Sequence, residues 1–423
     1  MYYSLVVIGG YVLDLIFGDP QWWWHPVRLI GKLIEKLELC LNTKNFNKRF
    51  AGVILVILVV GITISFVWGI LRLAKLIHPA LFYIISTLSI YFVLSIKDLG
   101  IEANSVYKSL ETGDINEARI RLGRIVGRDT DRLDKVGIIR ATIETVAEST
   151  MDGIVAPLFY AFLGGPVLAW AYKAINTLDS MVGYMSERFI EFGWASAKLD
   201  GIINFIPAKI TSFLISVSAF CCRKDWFQSI RLALKYLLKG PNKNSETAEI
   251  AMAGALRVQL GGLNFYSGMA EKKPFLGQAK KPLEISDIND SIKIAYLVSI
   301  CGLLIFFAIF LFACPQAFSR EVRVVSLAPS ITEILFAIGL NENEVVGVTD
   351  YCDYPKEATK ILKVGSLNTV SIEKIIFLQP DYVFSIGSEE NPLNANLKKA
   401  GFNVFMIPSE AIYVDLLTDS GTG

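Results

Sequence analysis

Six long apolar runs constrain the fold of this chain more than any other feature. They cover about residues 2–17, 51–71, 78–96, 153–172, 202–220 and 293–314. A helix needs roughly 20 apolar residues to cross the hydrocarbon core of a bilayer. Of the 423 residues, 53% are hydrophobic and only 19% are charged, whereas a soluble domain has about 25% charged residues. The chain is therefore predicted to be an α-helical polytopic membrane protein.

The fourth run is interrupted in its middle by Gly164, Gly165 and Pro166. Inside a membrane, such a break is tolerated only where protein or a water-filled cavity covers the freed backbone groups. The run therefore either crosses the membrane as a broken helix or forms a re-entrant hairpin that returns to the side it came from. A crossing helix places the residues after 172 on the far side of the membrane, whereas a hairpin returns them to the side of the residues before 153.

The distribution of Lys and Arg predicts the orientation of the helices. Loops 18–50, 97–152 and 221–292 are rich in these residues, and the alternate loops are poor. By the positive-inside rule, the rich loops are cytoplasmic, and the N-terminus and everything after the sixth run lie outside the plasma (inner) membrane.

Charge and cysteine content exclude several other classes of protein. The net charge is +1, and no basic stripe is interleaved with aromatic residues, so nucleic acid is not expected as a partner. The six cysteines form no CxxC pair and the chain has two histidines. Neither a disulfide framework nor a His-rich metal site is predicted.

The sequence pattern changes after Phe318. RVVSLAPSITEILFAIGL is typical of a buried strand followed by a helix, and SIEKIIFLQPDYVFSIG is typical of a helix followed by a strand. Alternation of this kind predicts a small parallel α/β lobe. We therefore divide the chain into a membrane domain over residues 1–314 and a lobe over 322–415.

A ladder of carboxylates precedes the fourth apolar run. Glu144, Glu148 and Asp152 follow Arg140 at helical spacing, near one face. They could form ion pairs on a solvated helix, worth a few tenths of a kcal/mol each. Alternatively, they hold Mg²⁺ or an amine-bearing substrate, since Mg²⁺ favours a few carboxylates together with nucleotide phosphates. Spacing alone leaves both readings open. We call these three acids the carboxylate ladder.

Two further polar groups lie next to apolar runs. Lys173, Asn176 and Asp179 or Ser180 share a helix face at the far end of the fourth run. Ionisable groups at membrane depth usually face a cavity or a partner, so a functional role is predicted there. A second group follows the first run and consists of Asp19, His25 and Arg28. No GxxxxGK[ST] phosphate loop occurs, and Gly261–Gly262 is only a weak nucleotide candidate.

Several long stretches resemble the CobD/CbiB family of cobalamin biosynthesis, the membrane-bound adenosylcobinamide-phosphate synthases. They are DLIFGDPQWWWHPVRLIGKLI, LGRIVGRDTDRLD, RATIETVAESTMDGIVAPLFYAFLGGP, AYKAINTLDSMVGY, EFGWASAKLDGIINFIPAKIT and AMAGALRVQLGG. The resemblance covers about residues 1–310. Family members commonly have an SPNAG-like stretch where this chain reads GPNKNSETAEIAMAGAL, which retains Pro241 and Asn242.

The resemblance implies an ATP-dependent amide ligation that joins adenosylcobyric acid to aminopropanol or its phosphate. ATP and Mg²⁺ are then the expected co-substrate and ion, and the corrinoid is a substrate. The expected partners are the lipid bilayer and other membrane proteins of cobalamin assembly or corrinoid uptake. From residue chemistry, we assign a catalytic group of Glu144, Glu148, Asp152, Lys173, Asn176 and Asp179, with Mg²⁺ on Glu148 and Asp152. A substrate-binding group comprises Asp19, His25, Arg28 and Ser180.

The tail resembles the first lobe of a BtuF-type periplasmic cobalamin-binding protein. RVVSLAPSITEILFAIGL and VVGVTDYCDYP carry the resemblance, and Tyr351 matches a position that contacts corrin in that family. Such proteins bind their ligand between two lobes, and the second lobe is absent from this chain. The tail suggests an alternative function, a membrane component of corrinoid uptake that carries a substrate-binding lobe.

Overall fold

The computed structural model describes residues 2–20, 25–43, 47–183, 188–236, 244–266, 268–313, 322–366, 369–388 and 390–408. Two compact units make up the chain, Met1–Pro315 and Gln316–Gly423. Pro241 and Asn242, which belong to the altered family stretch, lie outside the described residues.

Within its described residues, the first unit consists of helices, connecting loops and one β-hairpin. Its first seven helices are α1 Tyr2–Phe17, α2 Pro26–Leu41, α3 Lys48–Ile77, α4 Pro79–Tyr91, α5 Ile96–Glu111, α6 Ile115–Leu122 and α7 Lys135–Thr150. A π-helical turn, Met151–Val155, joins α7 to α8, and the remaining helices are α8 Ala156–Val182, α9 Trp194–Ile203, α10 Phe205–Cys221, α11 Trp226–Tyr236, α12 Asn244–Leu256 and α13 Ile285–Ala313. The hairpin consists of antiparallel strands β1 Gln259–Tyr266 and β2 Met269–Gly277.

The predicted polytopic helical membrane fold is confirmed, but the number of spans changes. Within the described residues, four helical segments are long and apolar enough to cross a membrane: Lys48–Ile77, Pro79–Glu111, Lys135–Val182 and Ile285–Phe312. The bent pair α9–α10 could supply a fifth. The first predicted run forms only the 16-residue α1, about 24 Å long at 1.5 Å per residue. It is therefore shorter than the hydrocarbon core of about 30 Å.

The chain folds back on itself within α8. Gly164 has φ −150° and ψ 24°, and Gly165 has φ 67° and ψ −159°, so neither is helical. The rings of Tyr160 and Tyr172 stack with centroids 5.2 Å apart, although a straight helix would separate residues 12 positions apart by about 18 Å. Lys135–Val182 is therefore not one straight crossing. It enters, reverses at Gly164–Gly165 and returns as residues 166–182, which we call the returning arm.

Contacts along α13 and between loops define the two ends of this unit. Phe306 packs against Phe159 with ring centroids 5.9 Å apart, so the far part of α13 lies beside the arm that leads to the reversal. At the other end, the backbone N–H of Asp129 donates to the carbonyl of Phe265 at 2.8 Å. The Lys/Arg-rich loops 97–152 and 221–292 therefore pack against each other, at the end opposite the reversal.

The second unit is a parallel α/β lobe, which confirms the predicted class. Its elements are β3 Val324–Ser326, α14 Pro329–Ala337, β4 Val345–Val348, α15 Ile372–Leu378, β5 Tyr382–Ile386, α16 Pro392–Lys399 and β6 Val404–Ile407. The four strands are parallel in the order β4-β3-β5-β6. Because successive side chains of a strand point to opposite faces, Val324 and Val325 enter two separate cores, one on each side of the sheet.

Candidate functional site

A polar cavity of about 410 Å³ lies beside the π-helical turn, between the returning arm, α9 and the start of α12. Its charged and amide-bearing lining residues are Glu148, Asp152, Asp179, Lys198, Asp200 and Asn244. Four carboxylates thus line one partly open space. We call this space the acidic cavity.

The structure divides the carboxylate ladder. Glu148 and Asp152 line the acidic cavity, but Glu144 does not. Glu144 is buried and accepts hydrogen bonds from Arg128 Nη2 at 2.6 Å and from the backbone N–H of Gly261 at 2.7 Å. Its carboxylate therefore fastens α7 to β1 and to the loop before α7. Both of its oxygens accept hydrogen bonds from the protein, and a catalytic role for Glu144 stays a prediction.

The same contact changes the view of the Gly261–Gly262 turn. Both glycines have positive φ, 80° and 91°, a conformation that leaves backbone N–H groups available to an anion in some loops. Here the N–H of Gly261 is donated to Glu144. One N–H of this turn is thus already used by a protein carboxylate, and nucleotide binding at the turn stays a prediction.

The reversal at Gly164–Gly165 brings the returning arm beside the remaining two acids. The Tyr172 hydroxyl lies between two acceptors, Asp152 Oδ1 at 3.3 Å and Asn204 Oδ1 at 3.1 Å, which share its single proton. Lys173 interacts electrostatically with Asp152, and Asp179 interacts with Glu148. The two polar stretches that flank the fourth run therefore share one site.

Ser180 does not join this group. It is exposed, and its hydroxyl donates to the backbone carbonyl of Asn176 at 2.9 Å, within its own helix. Asn176 itself bonds to Asp200 on α9. The structure thus supports a location at the site for Lys173, Asn176 and Asp179, and it places the Ser180 hydroxyl away from them.

The predicted substrate-binding group near the N-terminus, which comprises Asp19, His25 and Arg28, is only partly connected to the site. His25 is buried, its Nε2 lies 2.8 Å from Asp19 Oδ1, and Asp19 interacts electrostatically with Lys173. Asp14, a buried acid of α1, is not part of this group. Its carboxylate accepts hydrogen bonds from the backbone N–H groups of Ile96 at 2.9 Å and Lys97 at 3.2 Å. It therefore caps the start of α5.

Arg28 is the third residue of the predicted group of Asp19, His25 and Arg28. It is exposed in the first turn of α2. The acidic cavity is lined by other residues, so the structure does not bring Arg28 to the catalytic group.

Several residues of the site were missed by sequence reasoning. Asp200 lines the cavity, and Asn204 Nδ2 donates to both of its carboxylate oxygens at 3.1 and 3.0 Å. Asn204 Oδ1 in turn accepts from the Tyr172 hydroxyl at 3.1 Å. Asp200 and Tyr172 both lie in stretches that carry the family resemblance, yet nothing in their spacing indicates that α9 meets the returning arm.

A second buried acid lies behind the ladder, on α12. Burial and the nearby carboxylates of Glu144 and Glu148 raise the pKa of Glu249 well above its ordinary value, although Lys273 and Arg128 oppose this. Glu249 was not identified from the sequence, because the small residues around it resemble a helix-packing surface. It extends the polar region from the acidic cavity towards the β-hairpin.

The predicted Mg²⁺ site is consistent with the chemistry of its donors only if a nucleotide contributes. In the part of the chain that the structure describes, no group of three or more His, Cys, Asp or Glu side chains could hold a metal ion. Glu148 and Asp152 provide two carboxylates on one cavity. Proteins often bind Mg²⁺ with one or two carboxylates plus the phosphates of a substrate.

In the lobe, Tyr351 lies at the edge of the sheet where ligands of parallel α/β folds usually bind. It follows β4 at the carboxyl ends of the strands. Its side chain is 69% exposed, so it is accessible to a ligand. Its contact with corrin stays a prediction.

Comparisons with known proteins follow the same division of the chain. A family model described as CobD/Cbib protein matches residues 7–295, and one described as periplasmic binding protein matches residues 324–412. Cobalamin biosynthesis protein CobD of Clostridium perfringens is 44% identical over 300 residues, which are 71% of this chain and 95% of that protein. Cobalamin biosynthesis protein CbiB of Salmonella typhi is 41% identical over 304 residues, again 71% and 95% of the two chains.

A solved structure is also similar in sequence to part of this chain. It is the periplasmic vitamin B12 binding protein BtuF of Vibrio cholerae, 37% identical, with a TM-score of 0.19. The match covers 20% of this chain and 33% of that one, so this chain spans a third of BtuF.

Proposed function

The chain belongs to the CobD/CbiB family of cobalamin biosynthesis proteins, and on this premise we propose that its membrane domain is an ATP-dependent acid–amine ligase. It joins the carboxylate of adenosylcobyric acid to the amine of aminopropanol or aminopropanol phosphate. The observation that carries this proposal is the acidic cavity, where Glu148 and Asp152 of the ladder meet Asp179 of the returning arm and Asp200 of α9.

Amide formation from a carboxylate requires its activation, most simply as an acyl phosphate made with ATP. Glu148 and Asp152 would hold Mg²⁺, which supplies charge neutralisation on the phosphates. Lys173 interacts with Asp152 from the returning arm. Its ammonium group can therefore stabilise negative charge on a phosphoryl group beside these acids.

The amine must lose a proton before it attacks, so the site needs a base. Asp179 on the returning arm and Asp200 on α9 also line the acidic cavity, and their carboxylates can accept that proton. Asp200 is held by Asn204 through both oxygens. A base that is fixed in this way keeps its orientation while substrates bind, which lowers the cost of aligning it for proton transfer.

The proposal is tested by the reaction itself. Purified protein is incubated with adenosylcobyric acid, Mg-ATP and either aminopropanol or its phosphate, and the amide product is followed by mass spectrometry. We expect product from the wild type and at least a 100-fold loss of kcat in Glu148→Gln. Glu117→Gln is the matched control, because Glu117 is an exposed acid of α6 paired with Arg121. Absence of product from the folded wild type, or normal turnover by Glu148→Gln, would contradict the proposal.

A second candidate function is specific to the tail. We propose that the lobe lies outside the plasma membrane and collects corrinoid, because residues 324–412 match the periplasmic binding protein model. The Lys/Arg-rich loops would then face the cytoplasm. Binding of cobinamide to the full chain, compared with Tyr351→Ala, tests this function. Equal binding by both proteins, or labelling of the lobe only from the cytoplasmic side, would argue against it.

A further inference from the structure

The acidic cavity is lined by groups that accept hydrogen bonds and by few that donate them. Glu148, Asp152, Asp179 and Asp200 are carboxylates, and ionised carboxylates only accept. The single cation among the lining residues that the structure describes is Lys198, which is exposed. The lining of the acidic cavity is therefore complementary to a ligand that carries positive charge and N–H donors.

Asn244 provides an independent observation on the same wall. Its side chain is 7% exposed, and its Nδ2 donates to the carbonyl of Gly201 at 2.8 Å. A carbonyl can only accept, so the amide nitrogen must face Gly201 and the amide oxygen must point elsewhere. Asn244 Oδ1 is buried and has no hydrogen-bond partner among the described residues. A buried acceptor without a partner is unfavourable, and a ligand in the cavity would satisfy it.

Asp200 lies beside the residue that anchors Asn244. Gly201 accepts from Asn244, and Asp200 precedes it on α9. Asn204 orients Asp200 and is itself held by Tyr172. Asp200 and Asn244 thus both line the acidic cavity, and each side chain is positioned by its own hydrogen bond.

We propose that Asp200 and Asn244 form the binding site for the primary ammonium group of the amine substrate. This inference rests on the proposed ligase function. It assigns the amine substrate, and not the corrinoid or ATP, to the part of the acidic cavity that Asp200 and Asn244 line. A primary ammonium has three N–H donors and a positive charge, which match the acceptors of Asp200, Asn244 and the neighbouring Asp179. The Mg²⁺ of the proposed ligase is assigned to Glu148 and Asp152, which leaves Asp200 and Asn244 for the amine.

The test measures amine binding without turnover. 1-Amino-2-propanol is titrated into the purified full-length protein in detergent, without ATP or corrinoid, by isothermal titration calorimetry. We expect at least a tenfold higher Kd in Asp200→Asn and several-fold weaker binding in Asn244→Ala. Glu191→Gln is the control, because Glu191 is an exposed acid close to the cavity that does not line it. 1,2-Propanediol has the same skeleton without the amine and should not bind.

A second readout separates this inference from the proposed function and from misfolding. In the complete reaction, Asp200→Asn should raise KM for the amine and leave KM for ATP unchanged, and Asp200→Glu should restore part of the affinity. If the wild type binds the amine but makes no amide, the ligase proposal fails and the binding site stands. If amide forms while both variants keep the wild-type Kd and KM for the amine, or if propanediol binds equally well, the binding site is wrong.

Discussion

The reversal at Gly164–Gly165 is the structural feature on which the assembly of the site depends, and replacing Gly165 with Ala tests it. Gly165 has φ 67° and ψ −159°. This region of backbone conformation is essentially restricted to glycine, and other residues held there are strained by about 1–3 kcal/mol. Alanine also restricts the unfolded chain, which offsets about 0.4–1 kcal/mol of this strain. We expect a net destabilisation of about 1–2 kcal/mol.

The measurement is the thermal unfolding midpoint in detergent, together with the rate of amide formation. A destabilisation of 1 kcal/mol lowers the midpoint by roughly 2–4 °C in domains of 150–250 residues. A loss of activity should accompany this decrease, because the returning arm carries Lys173 and Asp179 to the ladder.

Gly61→Ala is the matched control for this substitution. Gly61 lies within α3, and a Cβ added there meets no atom within 4 Å. Alanine is favoured over glycine in a helix by about 0.5–1 kcal/mol, so the control should be neutral or slightly stabilised. If Gly165→Ala and Gly61→Ala shift the midpoint equally, Gly165 is not held in a strained conformation and the hairpin reasoning is wrong.

Two further predictions concern buried charges behind the acidic cavity. Because the folded state raises the pKa of Glu249 above its ordinary 4.5, it binds a proton that the unfolded state releases, and stability falls as pH rises above that value. The advantage of Glu249→Gln in thermal midpoint should therefore grow between pH 5 and pH 9, and a constant difference across this range would contradict the assignment. Arg128 and Glu144 form a buried ion pair at 2.6 Å. Removal of one partner of a buried pair costs about 3–5 kcal/mol when the other is left unpaired, and Arg128→Met should cost less, because Glu144 keeps the Gly261 N–H and Arg140 Nε at 3.8 Å. A double-mutant cycle with Glu144→Leu should show a smaller loss than the sum of the single losses, and simple additivity would show that the pair is not coupled.

The carboxylate ladder shows how far sequence spacing reaches. Helical periodicity predicted that Glu144, Glu148 and Asp152 lie near one face, and all three do lie on one continuous helical segment. Periodicity could not predict that Arg128 and a backbone N–H of β1 would donate hydrogen bonds to the Glu144 carboxylate. These partners are 117 and 16 residues away along the chain, and only their packing decides which acids remain open to the cavity.

The fourth apolar run shows the same limit in a different form. Gly164, Gly165 and Pro166 indicated a break, and two outcomes remained open, a kinked crossing and a hairpin. The stacked rings of Tyr160 and Tyr172 decide for the hairpin. Local sequence weakens a helix at a given point, but the direction in which the chain continues depends on the surfaces against which each arm packs.

By itself, the sequence determined the class of the protein, its family and the local elements, because apolar run length, strand and helix periodicity and motif order act over short distances along the chain. It also placed Glu148, Asp152, Lys173 and Asp179 in two stretches beside a broken apolar run. The tertiary structure decided that these stretches meet, that Asp200 and Asn244 complete the cavity wall, and that α1 is too short to match the bilayer core. Side chains from α7, α8, α9 and α12 converge only after the reversal at Gly165 and the packing of α9 and α12 have been set, and no local pattern carries that information.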